Sequence, residues 1–169
     1  MRHGDHDSQR ASRDLLTGVR RSRERAATPE GGTMTARIKC VTVDSADPYR
    51  QSLFWAVVTG FGQDPENPNE PDDPEALLLA PDGAPALLFV PVPETKTVKN
   101  RLHLDLVPTD RTRDEEVARL VELGAELVAD RRNPDGTGWV VLTDPEGNEF
   151  CVERSDAERA GSAAAATAG

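Results

Sequence analysis

The stretch Arg101-Leu102-His103-Leu104-Asp105-Leu106-Val107 alternates in polarity with a period of two, which reads as a β-strand. Leu102, Leu104 and Leu106 fall on one face, and Arg101, His103 and Asp105 on the other. Downstream the period lengthens to that of a helix. Val117, Leu120, Val121 and Leu123 form an apolar stripe, with Asp110 as the expected N-cap and Gly124 as the stop. Three short strands are then predicted at 126–129, 139–142 and 149–153. They are separated by the turns Asn133-Pro134-Asp135-Gly136 and Asp144-Pro145-Glu146-Gly147-Asn148.

Upstream the same order has already run once. Residues 37–43 alternate as a strand, and Asp47-Pro48 opens a helix with Asp47 as N-cap and the proline at the first helical position, where its missing N–H costs nothing. Leu53, Phe54, Val57 and Val58 give that helix an apolar face, and Gly60 ends it. A proline-rich acidic loop over 62–75 leads to strands at 76–80 and 86–92, joined by Pro81-Asp82-Gly83. Superposing the halves sets Cys40 on His103, 63 residues on, and sets Gly60 on Gly124 and Gly83 on Gly147, 64 residues on. A duplicated strand–helix–three-strand unit is the economical reading. Each unit alone has too small a core, so the two must pack or exchange. The expected fold is α+β: two βαβββ modules forming a curved mixed sheet around a cup.

The 169 residues suit one domain. A formal charge of −10 argues against nucleic acid or an anionic membrane as partner, and no apolar run is long enough to span a bilayer. Aromatic residues are only 4% of the chain, so the core must rest on Leu, Val and Ala. Residues 1–33 hold seven Arg against five acids and little apolar surface to offset chain entropy. They are expected to be a disordered extension with at most a transient helix over 14–25, and Met34 is a candidate start. No apolar stretch follows the Arg20-Arg21 pair, so no secretory signal is read. The domain is expected over 34–154, with modules at about 37–93 and 100–154, followed by an Ala-rich tail over 155–169. Cys40 and Cys151 are the only cysteines and lie far apart, which is no disulfide framework. A cytoplasmic protein is expected.

Five segments carry a family resemblance. They are Asp44-Ser45-Ala46-Asp47-Pro48, Phe54-Trp55, Lys99-Asn100-Arg101-Leu102-His103-Leu104-Asp105-Leu106, Leu123-Gly124-Ala125, and Asp144-Pro145-Glu146-Gly147-Asn148-Glu149-Phe150-Cys151-Val152. In this order and at these distances they resemble the glyoxalase-like branch of the vicinal oxygen chelate superfamily, which includes bleomycin-resistance proteins and dioxygenases. The resemblance covers roughly 38–153. It implies paired βαβββ modules, commonly a homodimer, and a small-molecule ligand. It implies far less about reaction, because members include isomerases, lyases, dioxygenases, epimerases and drug-sequestering proteins. Metal-using members take ligands from the first and last strands of each module. Those positions here carry Cys40, about Leu87, His103 and Cys151, and only His103 is of the usual His, Gln or Glu type. The oxygen-rich divalent site is therefore not preserved, and no cofactor is expected.

His103 is the only histidine after residue 33, and Asp105 shares its strand face. An aspartate there can hold the imidazole's tautomer, as a general base requires; the pair can equally be structural. The leading reading is a glyoxalase-like small-molecule-binding protein, with metal-independent lyase, isomerase or dehydratase chemistry resting on His103 and Asp105. Arg101, Thr42, Phe89, Trp139 and Glu153 are the candidate substrate contacts. One alternative is a protein that sequesters a drug or metabolite. A further alternative is a metal enzyme, with zinc held by Cys40, His103 and Cys151; the plain reading of those cysteines is two small buried hydrophobes. The 62–75 loop is either a solvated linker or a lid that favours neutral or cationic ligands.

Overall fold

A computed structural model describes residues 36–81 and 83–167, with side chains as far as Ser162. The expected extension over 1–33, the candidate start Met34 and Asp82 of the predicted turn lie outside these residues. Strands β1 (Cys40–Ser45), β2 (Ala76–Leu78) and β3 (Ala86–Pro91) form one sheet in the order β1-β3-β2. Strands β4 (Asp105–Leu106), β5 (Glu126–Asp130), β6 (Val140–Thr143) and β7 (Glu149–Val152) form a second, in the order β4-β7-β6-β5. In each sheet the first strand runs parallel to the last, and the other pairs are antiparallel.

The two halves repeat each other's pairing. Thr42 opposite Leu88 corresponds to Asp105 opposite Cys151. Leu78 opposite Leu87 corresponds to Leu142 opposite Phe150, and Ala76 opposite Phe89 to Val140 opposite Val152. A single bridge, Gly62 to Leu79, stands where the second half has the full β5–β6 ladder starting from Glu126 and Thr143. This register places Leu88, not Leu87, at the position equivalent to Cys151.

The expectation of one curved sheet around a cup is corrected here. The sheets are separate, and no ladder joins them among the described residues. In the first half the counterpart of β5 is the single Gly62–Leu79 bridge, and Pro65, which has no N–H to give a ladder, falls where that strand would continue. In the second half the strand expected over 101–107 is only Asp105–Leu106. The register would set His103 opposite Glu149, where the Glu149 carboxylate takes the Asn100 N–H and the Lys96 ammonium of the connecting chain.

Helix α1 (Pro48–Thr59) starts and stops where its caps predict: the Asp47 carboxylate accepts the Arg50 N–H, and Gly60 adopts the left-handed conformation. Its buried face differs from the expected one. Gln51, Ser52, Phe54 and Trp55 are buried, while Leu53 and Val57 are 43% and 55% exposed. Two of the inward residues carry amide or indole N–H groups, and both find a buried acceptor described below. Helix α2 (Arg113–Glu122) is capped by Thr112 rather than Asp110. Thr112 and Glu115 satisfy each other's backbone N–H in a capping box, whereas Asp110 pairs with the neighbouring Arg111 guanidinium. Within the region expected as a tail, α3 (Asp156–Thr167) is helical, and its Glu158 accepts the N–H groups of Ser155 and Arg113.

One core runs through both halves, from Leu78, Leu87 and Phe89 to Leu120, Leu142 and Val152. The aromatic rings join it: Phe150 of β7 lies edge-on to Trp55 and Phe54, at centroid distances of 5.3 and 6.5 Å. No helix among the described residues is long and apolar enough to cross a membrane.

Candidate functional site

The turn between β6 and β7 reaches across to α1 with two carboxylates. Asp144 is 2% exposed. Its Oδ2 accepts the Gln51 Nε2–H at 2.8 Å and the Trp55 indole N–H at 3.2 Å, from residues one helical turn apart. Its Oδ1 accepts the backbone N–H groups of Glu146 and Asn148, and the Asn148 side-chain amide donates to the same carboxylate. Glu146 reaches the start of α1, where it accepts the Ser45 hydroxyl at 2.8 Å and the N–H groups of Ala46 and Asp47 at 2.9 Å each. A buried carboxylate needs such a set of donors, because leaving it unpaired away from water is expensive.

Beside this latch, between β1, the segment 100–104 and the β6–β7 turn, lies a cavity of about 240 Å³. Val41, Val43, Trp55, Leu104 and Phe150 supply its apolar lining. Thr42, Asp44, Asn100, Arg101, Asn148 and Glu149 supply polar groups. It shares Asp44, Asn100, Arg101 and Asn148 with a larger open groove of about 810 Å³ that runs along the connecting chain from Val92 to Arg101. Glu149 fastens that chain: Lys96 Nζ is 2.9 Å from its carboxylate and the Asn100 N–H donates at 3.0 Å. Burial pushes the Glu149 pKa up, but the Asn100 N–H and Lys96 outweigh it and hold the group down at about 2.

The structure scatters most of the residues singled out in the sequence. Thr42 and Arg101 are exposed and line the cavity. His103 is half-buried outside the cavity lining, with its Nε2 2.5 Å from Lys99 Nζ. Asp105 is exposed on β4, and its carboxylate interacts with the Cys151 thiol rather than with His103. Burial first, and Asp105 second, push that thiol up to about 11, so it stays protonated at neutral pH. Phe89 is fully buried in the core beside Leu87. Trp139 is 44% exposed just before β6, and Glu153 stands 3.6 Å from Arg159 of α3. Cys40 lies at the start of β1 near the Thr42 hydroxyl. Among the described residues no three His, Cys, Asp or Glu side chains are grouped to hold a metal ion, so Cys40, His103 and Cys151 do not form such a group and no step is derived through a metal.

The cavity also contains residues that sequence reasoning passed over: Asp44, Asn100, Asn148, Asp144 and Glu149. Four of the polar residues that build the site, Asp144, Glu146, Asn148 and Glu149, sit within six positions of one turn. That density of acceptors was the signal available. In the sequence the same segment reads as a turn, a strand and part of the family resemblance, and not as a set of site residues.

Fold and site together define a member of the vicinal oxygen chelate superfamily. A family model described as the glyoxalase-like domain matches residues 40–153, and the chain belongs to that family. No curated protein matches the chain. Among solved structures, a glyoxalase/bleomycin resistance protein/dioxygenase family enzyme from Burkholderia phytofirmans PsJN is 23% identical with a TM-score of 0.53, covering 69% of this chain and 97% of its own. The fosfomycin resistance protein FosX of Listeria monocytogenes, crystallised with Mn(II) and 1S,2S-dihydroxypropylphosphonic acid, is 15% identical with a TM-score of 0.57, covering 75% and 95%. FosX of Mesorhizobium loti is 16% identical with a TM-score of 0.54, covering 76% and 99%. At such identities the likeness is one of fold.

Proposed function

We propose that this chain is a small-molecule-binding protein whose ligand occupies the cavity between β1, the segment 100–104 and the β6–β7 turn. The observation that supports it best is the lining itself: Asp44, Asn100, Arg101 and Asn148 gather beside a patch formed by Val41, Val43, Trp55, Leu104 and Phe150. An apolar concavity with a few directed polar groups is the usual form of a small-ligand site. A ligand there touches both halves and stabilises the folded state by mass action. In a Trp139→Phe background, a thermal-shift screen read together with Trp55 fluorescence is expected to find compounds that raise Tm and alter that signal. Both effects should vanish in Thr42→Phe, which fills the opening from an exposed position without adding a second indole. Compounds that raise Tm equally in Thr42→Phe and leave Trp55 unchanged would place the site elsewhere.

The Lys99–His103 contact favours a second reading, a metal-independent lyase, isomerase or dehydratase. Lys99 Nζ and His103 Nε2 stand within hydrogen-bond reach of each other, a geometry in which a proton can pass between them. Full turnover of an identified substrate by His103→Ala would overturn this reading. Saturable binding without product, unaffected by that substitution, would favour sequestration. The zinc alternative is decided by metal analysis of freshly purified protein, and the proposed homodimer by sedimentation.

A further inference from the structure

We infer that this cavity selects zwitterionic ligands, specifically amino carboxylates with an apolar side group, through Asp44 and Arg101. The inference rests on the cavity being the ligand site and adds what the ligand must carry. Three acids line the inner cavity: Asp44, Asp144 and Glu149. Asp144 is committed to Gln51, Trp55 and its own turn, and Glu149 to Lys96 and Asn100. The Asp44 carboxylate alone has neither a hydrogen bond nor an ion pair among the described residues. Arg101 is the single cation lining the same cavity, and it too is without a partner. Two opposite charges thus border one cavity without closing on each other, and both are exposed to an incoming ligand. They also belong to the four residues that the inner cavity shares with the outer groove.

An α-amino carboxylate answers both charges at once, with its ammonium on Asp44 and its carboxylate on Arg101, whose planar fork suits a carboxylate. Its side group then faces Val41, Val43, Leu104 and Phe150. Competing ligands each leave something unanswered. A simple carboxylate leaves Asp44 unpaired and approaches a chain of net charge −10, and a simple amine leaves Arg101 unpaired. A neutral apolar compound leaves both. Exposed charges contribute modestly to affinity, so the apolar lining supplies most of the binding and the charge pair supplies the discrimination.

The test uses the full chain carrying Trp139→Phe, read by Trp55 fluorescence and by calorimetry. The four probes are L-leucine, N-acetyl-L-leucine, L-leucinamide and 4-methylpentanoate. L-leucine is expected to saturate, with the three probes that lack one charge at least about tenfold weaker, as loss of one charge-assisted contact implies. Asp44→Asn should weaken L-leucine by about tenfold and leave 4-methylpentanoate unchanged, while Arg101→Gln should weaken both. Equal binding of all four probes overturns the selection, as does failure of L-leucine while the screening compounds still bind in a Thr42-dependent way; in both cases the site reading stands. L-leucine binding that persists undiminished in Thr42→Phe overturns the site reading itself.

Discussion

Helices α1 and α2 occupy equivalent places in the two halves, yet their first turns are secured in different ways. Around α2, Thr112 and Glu115 satisfy each other's backbone N–H, the Arg113 N–H goes to Glu158 of α3, and the Arg113 guanidinium binds the carbonyls of Gly136 and Gly138. Around α1, Asp47 caps Arg50 locally, but the N–H groups of Ala46 and Asp47 go to Glu146 of the other half. The α1 interior goes the same way, with Gln51 and Trp55 donating to Asp144. The start of α2 is thus secured from its own half and α3, and the start of α1 from the duplicate half, while Arg119 of α2 also reaches the Val57 carbonyl of α1. Duplication therefore produced dependence rather than two equivalent units, and the cavity lies where that dependence is exercised.

The sharpest way to break the contrast is Asp144→Ala. It strands two side-chain N–H donors of α1 and two backbone N–H groups of the turn in a buried place, and is expected to cost about 3–5 kcal/mol. Chemical denaturation measures this, and a loss under about 1 kcal/mol would mean that the latch is not what joins the halves. Gly138→Ala should injure the second half directly. A Cβ there would stand 2.1 Å from the Arg131 carbonyl oxygen at φ 92°, so a loss of about 2–4 kcal/mol is expected by the same measurement.

Glu146→Ala and Thr112→Ala test the two ways of capping against each other. Removing Thr112 should cost about 1 kcal/mol and quicken amide exchange only in the first turn of α2. Removing Glu146 should cost about 1–3 kcal/mol, quicken exchange at Ala46 and Asp47, and disturb Trp55 fluorescence as the cavity wall loosens. Equal and purely local effects would erase the distinction. The smallest effect is a pH dependence. Glu149 is lowered from 4.5 to about 2, so its contribution is complete above pH 4.5 and is lost as the pH falls from there toward 2. Glu149→Gln should flatten that part of the stability profile, which acid titration of both proteins reveals.

Much of the fold was legible because it rests on local chemistry. The α1 boundaries followed from Asp47-Pro48 and Gly60, and the order of elements followed from the changes of period. The repeat also shows in the glycine spacing, whereas Thr112 and not Asp110 caps α2, because Thr112 has Glu115 three residues on to complete a capping box and Asp110 pairs with Arg111. The α1 face was misread for a different reason. Val57 and Leu53 are apolar and fit a helical stripe, but Gln51 and Trp55 turn inward because an acceptor 89 to 93 residues away awaits their N–H groups.

What the sequence determined by itself was the set of elements, the duplication and the membership of the family, since periodicity, caps and turn residues act over a few positions. Whether the repeated halves would share one curved sheet was decided only in three dimensions. The halves form two sheets, joined among the described residues by a core and a carboxylate latch instead of a ladder. The cavity's residues come from β1, the segment 100–104 and a turn far along the chain, and no local pattern records that they meet.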